Sequence, residues 1–326
     1  MLEFFKRNTF FSLLLLIPYG AVLHIGPFLV QQDHYHTEQT WVFNQIFGHW
    51  AQAGGMDTHV LSILLICFQS GLIAFLVSKF KLLPEGQLFP SIIFILLIGI
   101  HPRSLEFQAI LLSNVFLILA IFQLLQIYQK KKAAIYLFNF GAFVAVATLF
   151  YTPNIFFLIN GLIGLIILRG FKPRELLQLL GGFGNVFLLS FLILYILHWD
   201  NLFFEKQFTA VFSPFIFSMK FQNYGWVALG IILLLIILSI SQYSFFQLKR
   251  NIAVQKIFDL MFWWLLAGFI SICFVRIDNP AHMITIMPPL AILCGTLLTK
   301  VKNPLIAETI HLFLVMICLF LQFQSW

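Results

Sequence analysis

The chain has 326 residues, of which 61% are hydrophobic and 10% are charged, and its mean hydropathy is +0.96. Soluble domains carry about 25% charged residues, so this chain could not cover a water-exposed surface. The composition excludes a soluble enzyme, a disordered protein, a coiled coil and a secreted disulfide scaffold. It predicts an all-α integral membrane protein, in which the 41 phenylalanines fill lipid-facing and interhelical space.

Apolar segments follow one another along the whole chain. A membrane-spanning helix needs about 20 mostly apolar residues, and the sequence predicts a bundle of eleven such helices that forms one transmembrane domain over residues 1–326. The first segment is too long for a cleavable signal peptide and lacks a small-residue cleavage site, so we expect it to stay. The predicted spans are residues 10–30, 58–78, 86–100, 107–127, 134–150, 153–169, 176–198, 224–246, 257–275, 282–299 and 304–324.

The lysines and arginines orient these spans, because cytoplasmic loops are enriched in them. With a cytoplasmic N-terminus, four of the 19 cations fall outside, namely Arg103, Lys206, Lys220 and Arg276. Removing any one span would break the alternation, so we predict eleven spans with the C-terminus outside. The net charge of +7 then reports topology and does not indicate a nucleic-acid partner. The fifteen predicted cytoplasmic cations are Lys6, Arg7, Lys79, Lys81, Lys130, Lys131, Lys132, Arg169, Lys172, Arg174, Lys249, Arg250, Lys256, Lys300 and Lys302.

Two of the predicted outer loops are long, over residues 31–57 and 199–223. The first contains TWVFNQIFGHWAQ, in which apolar residues recur every three to four positions, as on an amphipathic helix. Trp41 and Trp50 within it favour a location in the membrane interface. We therefore predict an interfacial helix in the first outer loop.

Polar and ionisable groups beside a membrane cost free energy, so they mark candidate functional positions. On the predicted outer side they gather near helix ends, where a compact bundle would bring them to one outward-facing cavity. The alternative is that they are solvated loop residues. The candidates are Asp33, His34, His36, Glu38, His101, Arg103, Tyr151, Asn154, His198, Asp200, Arg276, Asp278 and His282.

Signals for a metal or a nucleophile are weak in this sequence. No histidine pair has the HxxxH spacing that places two imidazoles one helical turn apart, and neither a GxSxG motif nor a Walker loop occurs. We therefore predict no metal cofactor. The alternative is a divalent cation near Asp33, with His34 and His36 on the same side of an extended loop.

Several residues inside the apolar segments are predicted to be structural. The cysteines have no CxxC or metal-ligand spacing and serve as small core residues, while isolated histidines and amides serve helix–helix contacts. The GGFG stretch at 181–184 allows close helix approach. These residues are Cys67, Cys273, Cys294 and Cys318; His24, His59 and His311; and Asn114, Asn139, Asn160 and Asn185.

The central stretch at 111–176 resembles an uncharacterised family of bacterial multi-pass inner-membrane proteins. It reads LLSNVFLILAIFQLLQIYQKKKAAIYLFNFGAFVAVATLFYTPNIFFLINGLIGLIILRGFKPREL. That family has no established activity. The resemblance therefore implies a location in the bacterial inner membrane and says little about chemistry.

The overall order of segments resembles the GT-C class of membrane glycosyltransferases, which use polyprenyl-phosphate-linked sugars at the outer face of the membrane. QDHYHTE at 32–38 resembles their early outer loop with a carboxylate, which an interfacial helix follows. LFYTPNIFFLINGLIGLIILR at 149–169 resembles their short helix–turn–helix with a basic end. HMITIMPPLAILCGTLL at 282–298 resembles their late helix with a Pro-rich start.

This resemblance implies roles for several residues. Asp33 would act as the general base for the acceptor hydroxyl, and Arg103 and Arg276 would bind the lipid phosphate. His34 stands where many GT-C members have a second acid, and the large soluble outer domain of some members is missing, so a degenerate, non-catalytic relative is also open. The further candidate substrate-binding residues are His34, His36, Glu38, His101, Asp278 and His282.

Two other classes of function stay open. Short loops and the lack of specific motifs fit a non-enzymatic subunit of a cell-envelope complex with a membrane protein partner. A lipid or small-molecule transporter would need charges deep within the bundle, and the sequence places almost none there. The expected partners are the lipid bilayer and a polyprenyl-phosphate lipid.

Overall fold

The computed structural model describes residues 5, 10–29, 41–53, 55–83, 87–100, 105–198, 203, 207, 223–248, 250–274 and 280–323. These residues contain helices and turns but no β-strand, which confirms the predicted all-helical class. The helices are α1 (Phe10–Leu14), α2 (Leu16–Leu23), α3 (Gly26–Leu29), α4 (Trp41–Ala53), α5 (Met56–Lys79), α6 (Phe89–Gly99), α7 (Ala109–Leu125), α8 (Ala134–Phe150), α9 (Phe157–Arg169), α10 (Pro173–Ile196), α11 (Asn223–Ser241), α12 (Tyr243–Gln247), α13 (Ile252–Cys273), α14 (Met287–Leu298) and α15 (Pro304–Gln322).

Five helices of the described chain are long and apolar enough to cross a membrane: α5, α9 with the 3-10 turn before it, α10, α13 and α15. Six shorter apolar helices coincide with the remaining predicted spans: Phe11–Leu23, Phe89–Gly99, Ala109–Leu125, Ala134–Phe150, Gly225–Ser241 and His282–Leu298. The molecule is thus a helical membrane protein. The number of crossings and their orientation stay predictions.

Four predicted spans differ from a continuous α-helix, and one of them, 224–246, is divided at Gln242 between α11 and α12. Residues 10–30 are divided among α1, α2 and α3, and His24 leaves the helical conformation with φ of −110°. The spans predicted at 153–169 and 282–299 begin as 3-10 helices, Thr152–Phe156 and Pro280–Ile286. A proline stands in the first turn of both 3-10 helices, where its missing N–H costs nothing.

Side-chain contacts fix the relative direction of neighbouring helices. Gln69 of α5 donates to the carbonyl of Leu111 at 2.8 Å and accepts from Asn114 at 2.8 Å, both on α7. Further along both helices, the rings of Phe75 and Phe122 lie 5.3 Å apart. The helices α5 and α7 therefore run parallel.

The first and last apolar helices are parallel as well. Tyr19 of α2 hydrogen-bonds to His311 of α15 at 2.9 Å. One turn further along α2 and about three turns further along α15, Gln322 donates to the carbonyl of Leu23 at 2.7 Å. These bonds also confirm that His311 has a structural role, because its ring joins two helices.

Several of the other residues predicted to be structural are confirmed, among them Asn114, which donates to Gln69 of another helix. Cys67, Cys294 and Cys318 are buried, and His24 donates to the carbonyl of Ile95 at 3.2 Å. The prediction is wrong for Asn185, which lies on the exposed face of α10 and cannot join helices within this chain.

Glycines let α8 and α10 pack with their backbones in contact. A Cβ atom on Gly141 would overlap the carbonyl oxygen of Leu179, and one on Gly182 would overlap the carbonyl oxygen of Phe138. This confirms the close approach predicted for the GGFG stretch, although Gly181 of the same stretch faces open space. Backbone overlap cannot be relieved by a rotamer change, so the α8–α10 pair forms one rigid unit.

We expect Gly182→Ala to destabilise the protein by about 1–3 kcal/mol, because α8 must move away from α10. Gly181→Ala is the matched control, and we expect it to be neutral or to stabilise α10 by up to about 1 kcal/mol. Thermal unfolding in detergent, followed by a fluorophore that reacts with the buried thiols of Cys67, Cys294 and Cys318, measures both. Equal midpoints for the two variants would contradict the close packing.

Candidate functional site

Segments that flank the predicted outer loops meet at one end of the bundle, which we name the candidate end and define by Phe43, Phe107, Phe150 and Tyr151. Phe43 of α4 is fully buried, and its ring lies 5.5 Å from that of Phe107, which precedes α7. Phe47 of α4 contacts the rings of Phe107 at 5.7 Å and Phe150 at 6.4 Å. The helix within the first long loop thus packs on the connection before α7 and on the end of α8.

Gln207, from the second long loop, ties this loop to the same place. Its Nε2 donates to the carbonyl of Leu149 at 3.0 Å and to Oγ1 of Thr152 at 3.1 Å. Its Oε1 accepts the backbone N–H of Val42 at 3.4 Å. Gln207 is only 1% exposed, so these bonds form away from water, where leaving a polar group unpaired costs about 1–3 kcal/mol.

Tyr151 and His282 form the central polar pair of the candidate end. The Tyr151 hydroxyl lies 2.8 Å from Nδ1 of His282, and the two rings stack with centroids 5.8 Å apart. Tyr151 is buried and His282 is half-buried. When the imidazole is neutral with its hydrogen on Nε2, Tyr151 donates to Nδ1. In that tautomer Nε2 carries the hydrogen, and the hydrogen bond and ring contact with Tyr151 fix the plane of the imidazole.

A second polar layer lies where the second turn of α7 meets the 3-10 helix Thr152–Phe156. Asn154 donates through Nδ2 to Oγ of Ser113 at 3.1 Å, and Ser113 donates to the carbonyl of Ile110 at 2.9 Å. Among the described residues, the buried oxygens Oδ1 of Asn154 and Oδ1 of Asn114 have no hydrogen-bond partner. Buried acceptors of this kind favour water or a ligand hydroxyl as donors.

Of the nine residues that the sequence predicts for the site, the structure describes His282 and places it against Tyr151. Tyr151 and Asn154, also predicted as outer polar residues, belong to the cluster, whereas His198 is exposed at the end of α10. The other eight lie outside the described residues: Asp33, His34, His36, Glu38, His101, Arg103, Arg276 and Asp278.

Sequence reasoning missed Gln207, Thr152 and Ser113. No local pattern marks these three, because their partners are 41 to 165 positions away along the chain. The described residues hold no group of three or more His, Cys, Asp or Glu side chains that could bind a metal ion. The predicted alternative of a cation at Asp33, His34 and His36 falls outside the described residues.

No family model matches this sequence, and comparisons with curated proteins and with solved structures find no match. The resemblances to the GT-C class and to the uncharacterised membrane family therefore stay predictions. Fold and site together define a multi-pass helical membrane protein that gathers several connecting segments and a Tyr–His pair at one end of its bundle.

We expect Tyr151→Phe to lower the stability of the protein by about 1 kcal/mol, because Nδ1 of His282 loses its hydrogen-bond donor. The matched control is Tyr195→Phe, since Tyr195 is 60% exposed on α10 and its loss of a hydroxyl should change nothing. Thermal unfolding of both variants in detergent measures the difference. If the pair acts as a unit, Tyr151→Phe should add little to the effect of His282→Ala; full additivity would contradict the pairing.

Proposed function

We propose that this protein is a GT-C-like glycosyltransferase of the bacterial inner membrane, which takes a sugar from a polyprenyl-phosphate carrier at the outer face. The observation that carries the proposal is the Tyr151–His282 pair at the candidate end, where segments in or beside the five predicted outer connections pack together. The predicted site residues belong to those connections. Arg103 lies four residues before Phe107, and Asp278 lies four residues before His282. Four residues of extended chain span at most about 14 Å, so the chain length permits both residues to lie near the cluster.

Helix directions support eleven crossings. The parallel pairs α5 with α7 and α2 with α15 are those that strict alternation requires, since an even number of reversals separates the members of each pair. If the first and last spans run parallel and the spans alternate in direction, the total number of spans is odd. Gly182 of α10 lies against Phe138 of α8. Further along both helices, Phe187 and Phe191 pack in the cluster around Leu149, so α8 and α10 add a third parallel pair.

Charge supports the orientation. We name the opposite end of the bundle the basic end and define it by Arg169, Arg250, Lys256 and Lys300. Arg169 donates to the carbonyl of Ile127 at 3.3 Å, beyond the end of α7, and Lys256 lies 5.2 Å from the ring of Tyr128. Cations from separate loops thus meet at this end, which fits a cytoplasmic location under the positive-inside rule.

In the proposed reaction, an acceptor hydroxyl attacks the anomeric carbon of the carrier-linked sugar while Asp33 takes the hydroxyl proton. The bond between that carbon and the phosphate oxygen breaks, and the carrier leaves as a phosphate monoester. Arg103 and Arg276 stabilise the negative charge that gathers on this leaving group, since guanidinium binds phosphate through two parallel N–H bonds.

His282 and the remaining candidate residues would orient the substrates. His282 would contact the phosphate or a sugar hydroxyl, and Tyr151 is a positioning residue that fixes the imidazole plane. His34, His36, Glu38, His101 and Asp278 would bind sugar and acceptor hydroxyls. The unpaired amide oxygen of Asn154 adds an acceptor near this layer.

Reporter fusions test the proposed topology. We expect alkaline phosphatase fused after Trp326 to be active and green fluorescent protein at the same point to stay dark, because the C-terminus is proposed to be outside. Fusions after Phe171, between α9 and α10, should behave in the opposite way and serve as the control. Fluorescence at both positions would contradict the odd number of crossings.

Carrier binding tests the proposed activity. Native mass spectrometry of the purified protein should show retained undecaprenyl phosphate and much less undecaprenol, which lacks the phosphate. Arg276→Ala should reduce the retained lipid by about tenfold or more, since a charge-assisted hydrogen bond is worth about 1.5–3 kcal/mol, while Arg276→Lys should keep part of it. Lys220→Ala, another predicted outer cation, is the matched control.

Asp33→Asn separates binding from chemistry. This variant should retain the carrier but abolish surface-glycan assembly in the host, because the amide cannot accept the proton. Unchanged glycan at equal protein level would overturn the role of Asp33. Equal retention of undecaprenyl phosphate and undecaprenol would overturn the transferase, and a co-purified protein subunit without lipid would favour the complex-subunit alternative.

A further inference from the structure

A long apolar cavity lies between α6, α11, α14 and α15, away from the candidate end. Its volume is about 190 Å³, and eleven aliphatic side chains and Cys294 line it. Leu96 and Leu97 of α6 form a buried floor, whereas Leu238 and Ile310 at the rim are 48% and 39% exposed. Because its floor is buried and its rim is exposed, the cavity is a groove that opens on the lipid-facing surface.

The size of the groove fits part of a hydrocarbon chain. Apolar cavities of about 150 Å³ in proteins stay free of water and accept small hydrocarbons. Each methylene group that leaves water for such a site contributes about 0.8 kcal/mol, although a lipid tail already lies in hydrocarbon. The shape of the groove therefore accommodates an acyl chain without selecting one lipid over another. A preference for a particular lipid must come from charged groups near its headgroup.

That charge lies at the basic end, where the groove reaches Leu297, Leu298 and Val301 of the α14 terminus. Lys300, in the same turn, lies 5.3 Å from the centre of the Phe245 ring and donates to Oε1 of Gln242. Gln242 follows α11 and stands four residues after Leu238 at the groove rim. Lys300 directly precedes Val301, so its backbone lies at this end of the groove.

A second cation stands beside the first. The Arg250 guanidinium carbon lies 5.4 Å from the Phe245 ring centre and 4.9 Å from that of Phe258, and Arg250 donates to the carbonyl of Leu82 at 2.7 Å. Partial burial lowers the pKa of Arg250, yet guanidinium stays charged at neutral pH. A half-buried cation of this kind gains from an anion that replaces the lost water.

Within the described residues, neither Lys300 nor Arg250 forms a salt bridge with a carboxylate. Asp259, the acid of the neighbouring helix α13, accepts hydrogen bonds from Tyr243 at 2.8 Å and from Gln247 at 2.7 Å. Glu308 stands two residues from Ile310 on α15, so it projects from another side of that helix. Counted over the part of the chain that the structure describes, this end of the groove therefore carries net positive charge.

We propose that the groove and its two cations form a binding site for an anionic phospholipid of the leaflet that faces the basic end. One acyl chain lies along Leu96, Leu97 and Leu298, and the phosphate faces Lys300, with Arg250 within the range of unscreened attraction. Basic pockets between transmembrane helices at the cytoplasmic side are recognised features of lipid recognition. This inference is independent of the proposed transferase activity, whose carrier would bind at the opposite end.

Native mass spectrometry with two lipids of equal chain length tests the site. The full-length protein should retain phosphatidylglycerol in preference to phosphatidylcholine. Lys300→Gln should reduce the retained phosphatidylglycerol about fivefold, which corresponds to about 1 kcal/mol for one cation near the surface, and leave phosphatidylcholine unchanged. Lys131→Gln, an exposed cation of another loop on the same predicted side, is the matched control.

A cavity-filling substitution tests the chain site separately. Leu97→Phe should lower the retention of both lipids, because the larger side chain occupies the groove. Equal retention of the two lipids by the unaltered protein, or equal effects of Lys300→Gln and Lys131→Gln, would overturn the proposal. Displacement of phosphatidylglycerol by undecaprenyl phosphate in the unaltered protein, lost in Lys300→Gln, would assign the groove to the carrier and overturn the phospholipid.

Discussion

Hydrocarbon offers no hydrogen-bond partner, so each backbone N–H and C=O inside a bilayer must be satisfied within the protein. Short helices meet this requirement here because other helices surround them and supply hydrogen-bond donors to their end carbonyls. Every residue of α6 is buried, although its 11 residues cover only about half of a bilayer core. The carbonyl of Gly99 at its end accepts from Gln322, and the carbonyl of Ile95 accepts from His24. Side chains of α15 and of the segment after α2 thus complete a helix that could not face lipid alone.

The same constraint separates the polar chemistry of the two ends. At the candidate end, neutral groups pair with one another, as in Tyr151 with His282 and Gln207 with Thr152. At the basic end, Arg250 and Lys300 lie over aromatic rings, and neither forms a salt bridge with a carboxylate among the described residues. Neutral donors suit selective recognition of hydroxyl and phosphate groups, whereas uncompensated cations suit attraction of anionic headgroups.

Hydropathy and charge predicted the helices well, because length and apolar content decide whether a segment can be helical in lipid. The predicted span 134–150 coincides with α8, and the others differ mostly by a few residues. Conformational detail was harder to predict. The 3-10 helix Pro280–Ile286 depends on local proline placement and on Trp264, which donates to the carbonyl of Thr285 at 3.1 Å from another helix. Asn185 misled the prediction because helix composition does not tell which face meets lipid.

The candidate site could be predicted only as a set of segments, since its bonds join residues far apart in sequence. His282 and Tyr151 are 131 positions apart, and nothing near either residue indicates the other. Packing explains why they meet. Tyr151 directly follows α8, whose glycine contact with α10 prevents independent movement of either helix. Trp264 of α13 holds the 3-10 helix that carries His282. Moving the imidazole away from Tyr151 would require a shift of α8 relative to α10 or of the 3-10 helix relative to α13. This resistance favours a site that has its final geometry before the substrate binds.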